Sequence, residues 1–474
     1  MENQALPPNA ADGNNGRALD VYVAGAEEIG ELCVDTDSDP DVVLEYRKRV
    51  ATLWKNGEAR HLGDGTRNTE SHSVFVSGHD VYVAGYEDNE QGREVAALWV
   101  NGEVRSLSDG SENACAESVF VHDGDVYVAG WVDGPEGERD IRLAMLWKNG
   151  EAQCLSDKDG YAEASSVFVS GADVYVAGFK NVQGNQVATL WKNGVAWCLS
   201  EKSPATFAYF TIAHSVYVFG WDVYVAGYEM DKGKYTAMLW KNGKAQGYDE
   251  QRGHAWACSV FASGQDVYVA GVKTKVEEDR EEQAAALWKN GVAQHYSGFE
   301  ALSVFVSDGD VYVAGVGENA QGNRAAMLWV NGTAQQLSKM DADAVALSVF
   351  VSGGEGDDFG AGGPEVPQGG PGRHMGSHKR APDTPKKAPR NRGVSRKPVR
   401  AVVLEGFSEK VWRMYSGCTL PDTEKSPMFS MVQKSGKRSG PKKPKAPKPN
   451  GDGALSGGPF RARTGDPLIK SQLL

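Results

Sequence analysis

The sequence predicts an all-β fold, a seven-bladed β-propeller of four-stranded antiparallel blades, and three recurrent signatures predict it. The hexapeptide Asp-Val-Tyr-Val-Ala-Gly occurs seven times without a substitution, beginning at Asp20, Asp80, Asp125, Asp173, Asp222, Asp266 and Asp310. Its spacings of 60, 45, 48, 49, 44 and 44 residues belong to the period range of propellers and solenoids. Each copy is followed by Leu-Trp-Lys/Val-Asn-Gly, with the indole at Trp54, Trp99, Trp147, Trp191, Trp240, Trp288 and Trp329. A third signature, Ser-Val-Phe-Val or a close variant, starts at Ser73, Ser118, Ser166, Ser215, Ser259, Ser303 and Ser348.

These signatures read as four short strands per unit. Strand A is Ser-Val-Phe-Val and strand B is Val-Tyr-Val-Ala; both are almost continuously apolar, as in a sheet covered on both faces. The Gly-x-Asp step between them, for example Gly78-His79-Asp80, makes a tight hairpin. Strand C is Ala-x-Leu-Trp. It turns into strand D through Asn-Gly, a strong hairpin signal because both central residues of a type I′ turn need φ > 0. Strand D carries Arg60, Arg105, Gln153, Gln246 and Gln335, as a water-facing outer edge would.

The chain ends predict ring closure. The first hexapeptide has no strand A before it, and the last strand A, Ser348 to Val351, has no hexapeptide after it. Pairing the two completes a seventh blade. A linear β-solenoid fits less well, because such coils repeat at shorter periods without paired hairpin turns. The A–B–C–D order resembles kelch blades, without the Gly-Gly doublet and second tryptophan of kelch. Residues 20–352 resemble more closely a group of bacterial proteins built from Tyr-Val-Ala-Gly and Leu-Trp-Lys-Asn-Gly repeats. That resemblance implies the propeller fold and brings no established activity with it.

Composition divides the chain into three parts: a polar leader over 1–19, the propeller over 20–352, and a Pro/Gly-rich tail over 353–474. The net charge of −13 conceals a split: the tail holds 23 Lys+Arg against 11 Asp+Glu, whereas residues 1–352 hold 27 against 52. Fifteen of the 20 prolines lie in the tail. With runs such as Lys442-Lys443-Pro444-Lys445, it is expected to be disordered. A basic arm for nucleic acid, an anionic surface or the acidic propeller is one reading of it. A frameshifted translation is the favoured one, because the repeat fails in mid-unit and Gly356-Asp-Asp-Phe-Gly-Ala-Gly-Gly363 stands where a hexapeptide is due. No apolar run is long enough to span a bilayer, and no signal-peptide core precedes Asp20. The expected compartment is cytoplasmic by default, or extracytoplasmic if the N-terminus is truncated. The six cysteines form no motif and are expected to be free thiols.

Catalytic signatures are absent: there is no His-Glu-x-x-His, Gly-x-Ser-x-Gly, phosphate loop or dinucleotide fingerprint. His61, His72 and His79 have no ligand spacing and read as surface and turn residues. Asp35, Asp37 and Asp39 alternate as Ca²⁺ ligands can. However, Pro40 and Tyr46 replace the Gly and Glu such a loop needs, so a solvated acidic loop is favoured. No cofactor is expected, and the repeated tryptophans and tyrosines read as packing.

The departures from the repeat carry more information. Antiparallel topology puts the B–C and D–A loops of every blade at one end, the natural binding face. The residue after each hexapeptide runs Ala26, Tyr86, Trp131, Phe179, Tyr228, Val272, Val316. Tyr86, Trp131, Phe179 and Tyr228 therefore form an arc over consecutive blades; local packing beneath each loop is the favoured reading of it, and a platform that stacks on a sugar or holds a peptide is the functional one. The acidic groups around it, Glu87, Asp88, Asp133, Glu229 and Asp231, favour a cationic or polyhydroxylated partner and disfavour nucleic acid. The expectation is a monomeric, non-enzymatic binding or scaffolding propeller for a protein, peptide or glycan, with no membrane partner. A lectin with one site per blade is an alternative. A channel hydrolase or lyase is another, but no convergent carboxylates are evident on the inner strands.

Overall fold

The computed structural model describes residues 19–35, 44–135, 141–157, 160–200, 209–248, 253–277, 280–339 and 343–353. The tail from 354, residues 1–18 of the leader, and Asp37 and Asp39 lie outside the described residues, as does the side chain of Asp35. The described residues form seven four-stranded antiparallel sheets, each in the spatial order A–B–C–D. Blade 1 pairs Ala344–Ser352 (A) with Asp20–Asp35 (B), followed by Leu44–Lys55 (C) and Glu58–His61 (D). The last strand thus closes the ring against the first, as the sequence predicts. The inner strands of blades 2 to 7 are Thr69–Ser77, Ala114–His122, Ala162–Ser170, Tyr209–Phe219, Ala255–Ser263 and Glu300–Ser307.

The invariant residues are explained by contacts that recur in every blade. In blade 3, Asn149 sits at φ 53° and Gly150 at φ 85°, the conformation a type I′ turn needs. Asn149 Nδ2 donates to Asp125 Oδ1 at 2.8 Å, and the Val126 amide donates to Asn149 Oδ1 at 2.8 Å. In the five blades with a lysine at the end of strand C a further tie is added: Lys148 Nζ lies 2.7 Å from Asp125 Oδ2 and over the Tyr127 ring. The start of strand B is thereby tied to the C–D turn. All seven strand C indoles are essentially fully buried; each contributes roughly 4–6 kcal/mol before entropy, as an upper bound.

Two closed circles lock the inner strands together. The hydroxyl of each strand A serine accepts from the valine amide of the next blade at 3.1–3.2 Å, from Val74 on Ser348 round to Val349 on Ser303. Phe75, Phe120, Phe168, Tyr217, Phe261, Phe305 and Phe350 form a girdle, with neighbouring ring centroids 4.5–5.0 Å apart. Seven serines and seven aromatics that read as generic strand residues are therefore the seams between blades.

One feature of strand A departs from expectation. Each inner strand begins several residues before the serine and carries a bulge there: Ser71 pairs Gly85 and Ser73 pairs Ala84, leaving His72 as the extra residue. The same shift occurs in all seven blades. It depends on the hexapeptide glycine. A Cβ on Gly130 would lie 2.0 Å from the Cys115 carbonyl oxygen, and the other six glycines meet a carbonyl at 1.9–2.2 Å.

Candidate functional site

A β-bulge re-aims one side chain out of the alternating pattern. Here it does so once per blade, at His72, Glu117, Ser165, His214, Cys258, Leu302 and Leu347. All seven are partly exposed although their strands are largely buried. They precede the aromatic girdle on the inner strands, toward the long-loop end. Unlike the serine and valine that follow them, they differ between blades, as do the residues two before them, such as Glu70, Cys115, Glu163 and Ile212, so this end of the inner strands is where an otherwise repetitive ring becomes asymmetric. Blades 2 to 6 present polar groups; blades 7 and 1 present leucines.

The polar side is a connected network across blades 2, 3 and 4, joined by Arg49 of blade 1. His72 Nδ1 lies 3.0 Å from Glu117 Oε2 and 3.4 Å from Cys115 Sγ. His72 Nε2 lies 3.7 Å from Glu70 Oε1, and Arg49 holds the other oxygen of Glu70 at 3.0 Å. Trp131 Nε1 donates to Glu117 Oε1 at 2.9 Å. The Arg142 guanidinium stacks 3.6 Å from the Trp131 ring centroid and donates to Asp133 and Glu163. Tyr161 also donates to Glu163, at 3.1 Å.

This geometry sets the protonation states. Burial works against a charged His72, but the Glu117 carboxylate and its hydrogen bond outweigh it and raise the imidazole to about 9. Burial likewise opposes ionisation of Glu117, yet His72 and the Trp131 bond pull it down to about 2. Burial pushes Glu94 up to about 7. Desolvation, with no close counter-charge to offset it, lowers His214 to about 4. The Cys115 thiol is raised well above its ordinary value, by burial first and then by Glu117 and Glu94. A thiol so disfavoured as thiolate does not resemble an activated nucleophile, despite its histidine neighbour.

The expected aromatic arc is present, but it lies below the surface. Trp131, Phe179 and Tyr228 are 8%, 4% and 5% exposed. Phe179 stacks on Tyr161, Tyr228 packs against Phe210, His214 and Tyr235, and Tyr86 is partly buried with its edge toward His72. The reason is register: Tyr86 pairs Glu70, Trp131 pairs Cys115 and Phe179 pairs Glu163 across strands A and B. Tyr86, Trp131 and Tyr228 therefore contact the bulge residues His72, Glu117 and His214, and Phe179 packs on Tyr161, rather than offering a stacking platform. Among the flanking acids, Asp133 is engaged by Arg142 and Asp88 by Asn68.

Two expectations from sequence need correction. His72 is not a surface or turn histidine, and carboxylates do converge on the inner strands, at Glu70, Glu117 and Glu163. The signal was available: His72 and Glu117 are 45 residues apart, one repeat period, and occupy the same position in adjacent blades. Among the described residues, Cys115, Cys154, Cys198 and Cys258 form no disulfide; Cys418 and the side chain of Cys33 lie outside them. Among the described residues, no helix is long and apolar enough to cross a membrane.

These features define a seven-bladed β-propeller whose inner strands carry an asymmetric polar network. No protein-family profile and no curated protein matches the chain. Solved structures similar to it include the Pyrococcus horikoshii acylaminoacyl peptidase, at 12% identity and a TM-score of 0.40, covering 67% of this chain and 53% of that one. This chain thus spans about half that peptidase's length. The β-propeller domain of the Trilobed protease from Pyrococcus furiosus is similar at 13% identity and a TM-score of 0.40, over 67% of this chain and 99% of that one.

Proposed function

We propose that this chain is a non-enzymatic recognition propeller. It takes a protein or peptide partner bearing a basic side chain into the polar side of its bulge circle, at the long-loop end. The observation supporting this reading is that the bulge residues, and the residues two before them, vary in otherwise repetitive inner strands, and their polar side is bounded by Glu70, Glu94, Glu117, Asp133 and Glu163. The net −25 over residues 1–352 adds long-range attraction for a cation. Seven equivalent lectin sites would require equivalent residues around the circle, and the change from His72 and Glu117 to Leu302 and Leu347 favours a single site.

A peptide array and a glycan array probed with labelled full-length protein test this reading. Peptides containing Lys or Arg should bind, more weakly as salt rises. Glu163→Gln should reduce that signal about tenfold or more, the scale on which buried charge pairs act. Trp221, 80% exposed in the blade 5 A–B turn at the opposite end, provides the control: Trp221→Ala should bind as the parent does. Signal lost in Trp221→Ala and kept in Glu163→Gln would place recognition at the wrong end. Signal confined to glycans would transfer the site to a polyhydroxylated ligand.

A further inference from the structure

We infer that His72, Cys115 and Glu117 form a site for one borderline-soft divalent cation, Zn²⁺ by preference, with a fourth coordination position open toward the bulge circle. The inference is independent of the peptide-binding reading. One ligand atom from each residue, Nδ1, Sγ and a carboxylate oxygen, lies within 4.8 Å of the other two. The closest approaches are 3.0 Å between Nδ1 and Oε2 and 3.4 Å between Sγ and Nδ1. Bond lengths of about 2.0–2.3 Å around a tetrahedral ion place donors roughly 3.2–3.8 Å apart, so little movement is needed to admit the metal.

The surrounding groups orient these donors as metal sites require. Trp131 holds Glu117 Oε1, which leaves Oε2 for the ion. A histidine bound through Nδ1 carries its proton on Nε2, and that nitrogen faces Glu70 Oε1 at 3.7 Å. Glu70 is only 2% exposed, and this oxygen has no hydrogen-bond partner. A buried carboxylate oxygen without a donor is costly; a carboxylate–histidine–metal arrangement supplies one. Arg49 fixes the opposite oxygen and so the direction of the first.

The donor set selects the ion class. A thiolate, an imidazole and a carboxylate suit Zn²⁺, whereas Ca²⁺ and Mg²⁺ require oxygen ligands. Coordination replaces the thiol proton of Cys115 and the Nδ1 proton of His72, both released to water. Access is from the circle: the Glu117 side chain is 29% exposed and that of His72 15%, with Cys115 beneath them at 1%. Three protein ligands leave room for a water or a donor atom of a bound partner, the pattern of open zinc sites.

The test is a Co²⁺ titration of chelator-stripped full-length protein, followed by Zn²⁺ displacement. A thiolate-to-cobalt charge-transfer band should rise with intense four-coordinate d–d bands, saturate at one ion per chain and disappear with one equivalent of Zn²⁺. Cys115→Ser should abolish the charge-transfer band. Glu117→Gln and Glu70→Gln should weaken binding about 10–100-fold, the scale of ligand and outer-ligand losses. A Cys154→Ser/Cys418→Ser variant should titrate as the parent does. Parent protein with no charge-transfer band overturns the proposal. So does a band that survives Cys115→Ser or vanishes in the Cys154→Ser/Cys418→Ser variant. Because Glu117 is partly exposed, its variant keeps the test informative should Cys115→Ser fold poorly.

Discussion

Gly130→Ala is expected to prevent blade 3 from forming, at a cost of about 4 kcal/mol or more, the range reserved for clashes in packed cores. The substitution is conventionally mild, and Gly130 does not need a positive φ. Its constraint is across the sheet: a methyl group there would sit 2.0 Å from the Cys115 carbonyl oxygen and 3.1 Å from the Ala116 Cα. Both obstacles are backbone, so no rotamer change relieves them. The bulge would have to open, moving Glu117 and the strand A–B pairing with it. Circular dichroism melts should show a large loss of cooperativity or no folded baseline. In contrast, Gly150→Ala, whose Cβ would meet nothing within 4 Å, bears only the strain of φ 85° and should cost about 1 kcal/mol. Similar melts for the two variants would mean that the bulge is not the rigid element described.

Removing the closing strand should be as severe. A chain ending at Asp343 lacks Ala344–Ser352, and with it Val345, Ala346, Val349, Phe350 and Val351, all buried. The larger of these each stabilise by about 1.5–3 kcal/mol. Their sum approaches the whole stability of a typical domain, about 5–15 kcal/mol. The loss also breaks both circles, at the Ser348–Val74 hydrogen bond and at the Phe305–Phe350–Phe75 contacts. A chain ending at Gly353 keeps all of these and should melt as the full chain does. If the chain ending at Asp343 melts with the same midpoint, the closure contributes little.

The propeller was legible because its determinants are local. A hexapeptide beside an Asn-Gly turn specifies a hairpin wherever it occurs, and seven copies at one period specify the ring. Even there, the reason for the invariance was hidden: Asp125 and Asn149 are 24 residues apart, and only the folded hairpin brings them together. The site was less legible for a physical reason. A bulge residue is unpaired in the ladder, so it has no required identity, and its position interrupts the alternation by which strands are recognised. Reading strand A from Ser73 and Ser118 stopped one residue short of His72 and Glu117. The aromatic series after the hexapeptide lies in the layer behind the polar network. Strand register buries Trp131 and Phe179, and loop position alone does not reveal that.

The central claim is that seven identical bulges turn one variable residue per blade into a shared circle, so that residues of neighbouring blades act as one site. A double-mutant cycle between His72→Gln and Glu117→Gln, in chelator-treated protein, tests it most directly. The folded state raises His72 to about 9 from 6.5 and lowers Glu117 to about 2 from 4.5. The histidine's contribution is thus complete below pH 6.5 and lost as pH rises through about 9. The carboxylate's is complete above pH 4.5 and lost as pH falls through about 2. Coupling should therefore be full between pH 4.5 and 6.5, at about 2 kcal/mol for side chains 15% and 29% exposed, within the range for interacting neighbours. It should fade toward pH 9. Additive single effects at pH 5.5 would contradict the account, because the two residues would then not share a site.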